Sequence, residues 1–177
     1  MNTPNIVAIS TSLADASRSR VAASVVADEL KTLGAEVSTI DLHASPLAGY
    51  PHADEDPAIE TYQEQVRAAD GLLLAFPIYN WGESGQTRDF LAYVLDKETM
   101  QNKVALLVAG CSTKSSFLAP MSVGRTLQAE IGAVVIGPGI LACGDDVDRE
   151  QGTVVDGLKQ RLQHGAKLLH AFSSVEI

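Results

Sequence analysis

Five short apolar runs punctuate the chain: NIVAIS (5–10), EVSTID (36–41), GLLLAF (71–76), KVALLVAG (103–110) and AVVIGPGILA (133–142). Amphipathic stretches separate them. Runs apolar on both faces and spaced by helices indicate a parallel sheet covered on both sides, because parallel neighbours need crossover connections that bury both sheet faces. The intervening segments carry helix signals of their own. The first helix is expected to start at Ser17, to turn Val21, Val25, Val26, Leu30 and Leu33 to one face, and to stop at Gly34, which suits a left-handed cap. A second begins after Pro57, and a third runs from about Gln86 to Asp96 with Phe90, Leu91, Val94 and Leu95 inward. A fourth spans roughly Leu118 to Ile131, and a fifth carries Val154, Leu158, Leu162 and Leu169 to near Phe172.

Five such units in one open α/β sheet fit either half of a Rossmann fold or a flavodoxin-like three-layer sandwich with strand order 2-1-3-4-5. In both, ligands sit beyond the carboxyl ends of the strands, so the loops after strands one, three and four are where chemistry is to be sought. The 177 residues, 46% hydrophobic and 20% charged, suit one domain spanning 1–177. With a net charge of −9, the surface repels nucleic acid and anionic membranes. No apolar run approaches the ~20 residues that span a bilayer. Cys111 and Cys143 make no disulfide framework, and MNTPNIVAIS lacks the features of a signal peptide, so a cytoplasmic location is expected.

The first loop, STSLADASRSR (10–20), offers five hydroxyls and no glycine. A dinucleotide-binding turn needs G-x-G-x-x-G so that backbone can approach a pyrophosphate, which counts against the Rossmann reading even though Asp41 ends strand two where a ribose-binding acid would sit. A phosphate monoester is better served, because hydroxyls and amides converging at a helix N-terminus satisfy its terminal oxygens. Arg18 and Arg20 fall in the first helical turn, where the helix dipole disfavours cations unless an anion neutralises them. A Ser17 N-cap beside two solvated arginines accounts for the same residues without a ligand.

After strand three comes FPIYN, where Pro77 stiffens the turn and the rings of Tyr79 and Trp81 are close by. After strand four comes AGCSTKSS, where Gly110 permits close backbone approach and the hydroxyls can bond the edge of a heterocycle. Each loop taken singly reads as a polar turn. Converging beside the first loop, they would hold a phosphorylated planar ligand.

On these motifs the chain resembles the NAD(P)H-dependent FMN reductases of flavodoxin-like fold, particularly those that supply reduced flavin to monooxygenases. TSLADASRS matches that family's G-S-x-x-x-x-S-x-S loop, with Thr11 in the glycine place, and PIYNWGESGQTR is similar to its P-x-Y-N-x-s-x-x-G-x-L-K motif. The resemblance implies that Ser12, Ser17, Arg18 and Ser19 bind the FMN phosphate. It assigns Pro77, Ile78, Tyr79 and Asn80 to one ring edge, Gly110, Cys111 and Ser112 to the pyrimidine edge, and leaves Trp81 over the site or at a subunit interface. The implied reaction is hydride transfer from NADH or NADPH to flavin N5, with reduced flavin used by a partner oxygenase or passed to an acceptor. No protein catalytic group is expected, since the cofactors carry the chemistry. Ala14 stands where many relatives have an arginine, which leaves the choice between NADH and NADPH open. A homodimer or homotetramer through helices three and four is implied as well.

Competing readings remain. A flavin-bound quinone, azo or metal-oxyanion reductase would share the site, a flavodoxin-like electron carrier would show little NAD(P)H oxidation, and a flavin-free module of the same fold would be colourless. CGDDVDR (143–149) has the C-x5-R spacing of a phosphatase loop, but its aspartates would repel a phosphate. As a calcium loop it has Gly152 one place late and no closing glutamate. The four histidines show no metal-ligand spacing.

Overall fold

The computed structural model describes residues 3–175. In chain order the strands are β1 (Asn5–Ser10), β2 (Glu36–Asp41), β3 (Gly71–Tyr79), β4 (Gly82–Glu83), β5 (Val104–Cys111), β6 (Val134–Val135), β7 (Ile140–Cys143), β8 (Val147–Asp148) and β9 (Thr153–Val154). The helices are α1 (Arg18–Thr32), α2 (Ala58–Ala68), α3 (Gly85–Tyr93), α4 (Lys97–Met100), α5 (Leu118–Thr126) and α6 (Asp156–Ser173). The main sheet runs β2-β1-β3-β5-β6 with parallel neighbours, and β7 continues alongside β5. Taking β6 and β7 as one interrupted strand, this is the expected 2-1-3-4-5 order.

Successive residues of each strand feed opposite faces, which makes two apolar layers. One layer joins Ile6, Ala8, Leu73 and Leu106 to Val26 and Leu30 of α1 and to Leu158, Leu162 and Leu169 of α6. The other joins Val7, Ile9, Leu72, Leu74 and Leu107 to Phe90 of α3 and Val123 of α5. Buried between the layers, β3 and β5 hold almost only apolar side chains, whereas β2 lies at the edge and buries only Ile40 fully. Helix α1 starts at a Ser17 N-cap whose hydroxyl accepts from the Arg20 amide, and it ends before Gly34 at φ +92°. Its deepest face carries Ser19, Ala22, Ala23, Val26 and Leu30, while Val21 and Val25 are half-buried, so the helix is rotated relative to the valine-led expectation. Small residues there let α1 approach the sheet closely.

Several boundaries depart from the sequence expectation. The fifth run breaks into β6 and β7 at Gly137 and Gly139, both in the left-handed region. A Cβ on Gly139 would stand 2.9 Å from Pro120 Cβ and 3.2 Å from Leu107 Cβ, so the chain swings away here where α5 packs. Helix three ends at Tyr93, since Asp96 and Thr99 form a capping box that restarts the chain as α4. Val94 and Leu95 remain buried in the connection. Val154 pairs with Val147 in the β8–β9 hairpin and does not belong to α6. Cys111 and Cys143, register partners on β5 and β7, are joined as a disulfide, against the expectation that two cysteines make no disulfide framework, because the β5–β7 pairing sets them side by side.

Candidate functional site

The first loop leaves β1 where its neighbour β3 is still running, and Thr11 keeps the ladder with an amide bond to the Ala75 carbonyl (3.0 Å). The Thr11 hydroxyl is buried against that of Thr87 at 2.8 Å, which in turn meets Ser84 at 2.8 Å. A threonine in the glycine place thus turns its side chain inward and ties β1 to the start of α3. Beyond it, Ser12 and Ala14 lead to the N-cap, where the Ser17 and Ser19 hydroxyls lie 3.1 Å apart. The first amides of α1 have no intrahelical acceptor and open onto the same place.

The two arginines separate in role. Arg20 reaches back to donate to the carbonyls of Ser12 (3.0 Å), Ala14 (2.7 Å) and Asp15 (3.2 Å), and it pairs with Asp41 at 3.5 Å. It is the clamp that shapes the loop. Asp41, weighed as a ribose-binding acid, is spent on that pair. Arg18 is held by one bond, Nε to the Gly144 carbonyl at 3.2 Å, and lines the cleft.

Strand β3 runs on through Pro77 to Tyr79, three residues past the expected end, and turns directly into β4. Tyr79 pairs with Gly82, so Asn80 and Trp81 form a two-residue hairpin turn with φ of +48° and +70°. Positive φ at both central residues is the type I′ signature. The turn lifts the Tyr79 and Trp81 rings into solvent, 57% and 60% exposed. On the neighbouring strand, a Cβ on Gly110 would come within 2.7 Å of the Ser19 amide nitrogen. Gly110 therefore lets the end of β5 meet the N-terminus of α1, which brings the loops after β5 and β1 into one wall.

Ser12, Ser17, Arg18 and Ser19, Pro77, Ile78 and Tyr79, and Gly110, Cys111 and Ser112 line one cleft of about 110 Å³. Of the residues expected there, Asn80 and Trp81 are outside its lining because the hairpin turn carries them past its rim. Ala14 and Ala16, which carry no polar side chain to signal a site, also line it, and Arg149 enters from the β8–β9 hairpin. Pro77 and Tyr79 also border a second cavity of about 640 Å³, with Thr11, Leu13, Tyr50 and Gln86 on its far side. Its outer wall is the connection after β2, strapped to α3 by Gln86, whose side chain bonds the Leu47 amide and carbonyl, each at 3.0 Å.

The donor set suits a phosphorylated flavin. Among the described residues no carboxylate lines the cleft, although the chain carries 22 acidic against 13 basic residues. Hydroxyls, helix amides and arginine converge at one end, and the ends of β3 and β5 offer a flat wall at the other. Of groups of three or more His, Cys, Asp or Glu able to hold a metal ion, there are none among the described residues.

The family model described as NADPH-dependent FMN reductase matches residues 4–148. The chain is 27% identical over 146 residues to an FMN reductase (NADPH) of Pseudomonas putida, covering 80% of this chain and 74% of that one. It is 26% identical over 159 residues to an NADPH azoreductase of a Bacillus species, covering 89% and 86%. A flavodoxin from the domain Archaea shares the fold at 9% identity, with a TM-score of 0.73 over 97% of this chain and 99% of that one. No helix among the described residues is long and apolar enough to cross a membrane. The chain belongs to the NADPH-dependent FMN reductase family, and its chemistry is the NAD(P)H-dependent reduction of flavin.

Proposed function

We propose that FMN occupies the cleft, with its phosphate on Ser12, Ser17, Arg18 and Ser19 and its ring against Pro77, Ile78 and Tyr79 on one side, with Asn80 at the rim, and Gly110, Cys111 and Ser112 on the other. The observation that carries this reading is the convergence of serine hydroxyls, the α1 N-terminus and Arg18 in a cleft free of carboxylates, on an otherwise acidic protein. When bound, the flavin supplies the N5 atom that accepts hydride from NAD(P)H. The protein's own tasks are to anchor the phosphate, to hold the ring at the sheet edge and to offer donors where negative charge grows. The Ser112 hydroxyl and the neighbouring amides are available for that last task. No general acid or base is required of the chain.

Trp81 stands on the rim, where its indole covers the flavin edge or the nicotinamide. The adjacent cavity of about 640 Å³, sharing Pro77 and Tyr79 with the cleft, has room for the nicotinamide or for an acceptor. Reduced flavin goes to a partner monooxygenase or to a small acceptor. A second reading, in which FMN stays bound and an azo compound or quinone is reduced, is favoured by the likeness to the NADPH azoreductase. The chain acts as one flavin-binding domain, 1–177, in the cytoplasm, where NAD(P)H is the common reductant. It assembles as a homodimer or homotetramer through α3 and α5. That assignment is supported by a groove of about 540 Å³ lined by Leu91, Leu95 and Ile131, and by Phe117, Leu118 and Met121, which are exposed at the start of α5.

An absorbance scan of the purified protein with and without FMN, followed by NADH and NADPH oxidation, tests the reading directly. The phosphate end is tested by combining Ser17→Ala with Arg18→Ala. Charge-assisted hydrogen bonds contribute about 1.5–3 kcal/mol each, so FMN affinity is expected to fall well over tenfold while riboflavin, which lacks phosphate, scarcely changes. Equal weakening of both flavins, or of neither, sinks the assignment.

A further inference from the structure

Arg149, which closes the C-x5-R spacing set aside as a phosphatase loop, lines the same cleft as Ser12, Ser17, Arg18 and Ser19. It sits at the turn of the β8–β9 hairpin. Asp148 Oδ1 accepts from the amides of Glu150 (3.0 Å) and Gln151 (2.9 Å), which fixes the backbone on the far side of Arg149. Val147 is buried in the layer that holds Val26 of α1, so the hairpin is packed on the helix whose N-terminus forms the cleft. The root of the hairpin is tied twice more, by the Arg18 bond to the Gly144 carbonyl and by the Cys111–Cys143 disulfide. The backbone at Arg149 is therefore held beside the cleft by the fold, with its side chain exposed.

Four acids flank it in sequence, Asp145, Asp146, Asp148 and Glu150, and none pairs with it among the described residues. Asp146 pairs with Lys114 at 3.6 Å and Asp148 is taken up by the turn amides, while Arg149 makes no hydrogen bond or ion pair among the described residues. An arginine without a protein partner, facing hydroxyls and a second arginine across a cleft with no carboxylate, is complementary to a dianion that needs more than one cation.

We propose that Arg149 closes the phosphate site of the flavin nucleotide from the hairpin side, and so helps determine the choice of FMN over riboflavin. This inference rests on the flavin reading above. The guanidinium meets the phosphate oxygens opposite Ser17 and Arg18, so that the monoester is held between α1 and the β8–β9 turn. Free inorganic phosphate would occupy the same place weakly.

The test is a set of flavin-fluorescence titrations of the flavin-free protein with FMN and riboflavin, for wild type, Arg149→Gln and Arg149→Lys. Arg149→Gln is expected to weaken FMN about tenfold or more and to leave riboflavin within about twofold, with Arg149→Lys recovering part of the loss because charge is kept and the fork is not. The salt dependence of FMN binding should flatten in Arg149→Gln. Wild type that binds FMN better than riboflavin, with Arg149→Gln keeping that preference, overturns the role of Arg149 alone. Loss of both flavins to the same extent makes Arg149 a scaffold residue and also overturns it. Wild type that fails to distinguish the two flavins overturns the phosphate cleft together with this inference.

Discussion

At the scale of single residues, the hairpin turn at Asn80 and Trp81 shows the fold holding side chains where their backbone preference resists. Asparagine tolerates a φ of +48°, but tryptophan at +70° carries a Cβ into the left-handed region at about 1–2 kcal/mol. The indole is 60% exposed, so little burial offsets that strain within one protomer. Trp81→Gly is therefore expected to raise thermal stability, by about 2–4 °C for each kcal/mol relieved in a chain of this size, and to alter the apparent KM for flavin or NAD(P)H. Calorimetry and steady-state kinetics check both. A fall in melting temperature together with a fall in mass by light scattering would instead make Trp81 a subunit-interface anchor.

At the scale of elements, the carboxyl end of α2 is capped from another strand. Lys103, at the entrance to β5, donates its ammonium to the carbonyls of Val66 (2.8 Å) and Arg67 (2.7 Å). Partial burial holds its pKa below the ordinary 10.5; Asp70 opposes the shift and Arg67 adds to it. Because the folded protein gives up this proton at lower pH than the unfolded chain, the unfolded state binds more protons in the window just below 10.5. Lys103 thus makes stability rise with pH across that window, and its desolvation penalty persists at every pH below the folded pKa. Denaturant unfolding of wild type and Lys103→Met through the same window should give wild type the more positive slope, and parallel curves would contradict this. The bonds to α2 make the variant less stable overall at neutral pH, which leaves the difference in slope unaffected.

At the scale of the whole molecule, the cleft wall at Cys111 is joined covalently to the end of β7. The Cys111–Cys143 bridge spans 32 residues of sequence and links the loop after β5 to the root of the β8–β9 hairpin. Closing a loop of that length removes unfolded-state entropy equivalent to about 3–4 kcal/mol on the chain-entropy model. Reduction under native conditions, followed by urea unfolding, is expected to lower stability by an amount of that order. Non-reducing thiol titration of the denatured protein should find no free thiol before reduction and both cysteines after it. Full thiol reactivity without reductant would refute the bridge. In a reducing compartment such a bond is rare unless it is redox-responsive, so FMN affinity measured before and after reduction reports whether the bridge also shapes the cleft.

The order of elements and most residues lining the cleft can be read from local sequence pattern. Apolar periodicity is a local property, and the serine loop, Pro77 to Tyr79 and Gly110 to Ser112 each follow a strand whose carboxyl end must face the ligand side in any parallel sheet. Contacts between segments distant in the chain become visible only once it is folded. Arg20 is a clamp because Asp41 lies beside it, Thr11 points inward because Thr87 is there to receive it, and Gly110 is needed because Ser19 approaches within contact distance. The fifth strand breaks where Pro120 intrudes, and Cys111 finds Cys143 because β7 pairs in register with β5. Arg149 was illegible for the same reason: nothing in CGDDVDR says which surface its hairpin will fold against, and that is fixed only by the packing of Val147 on α1.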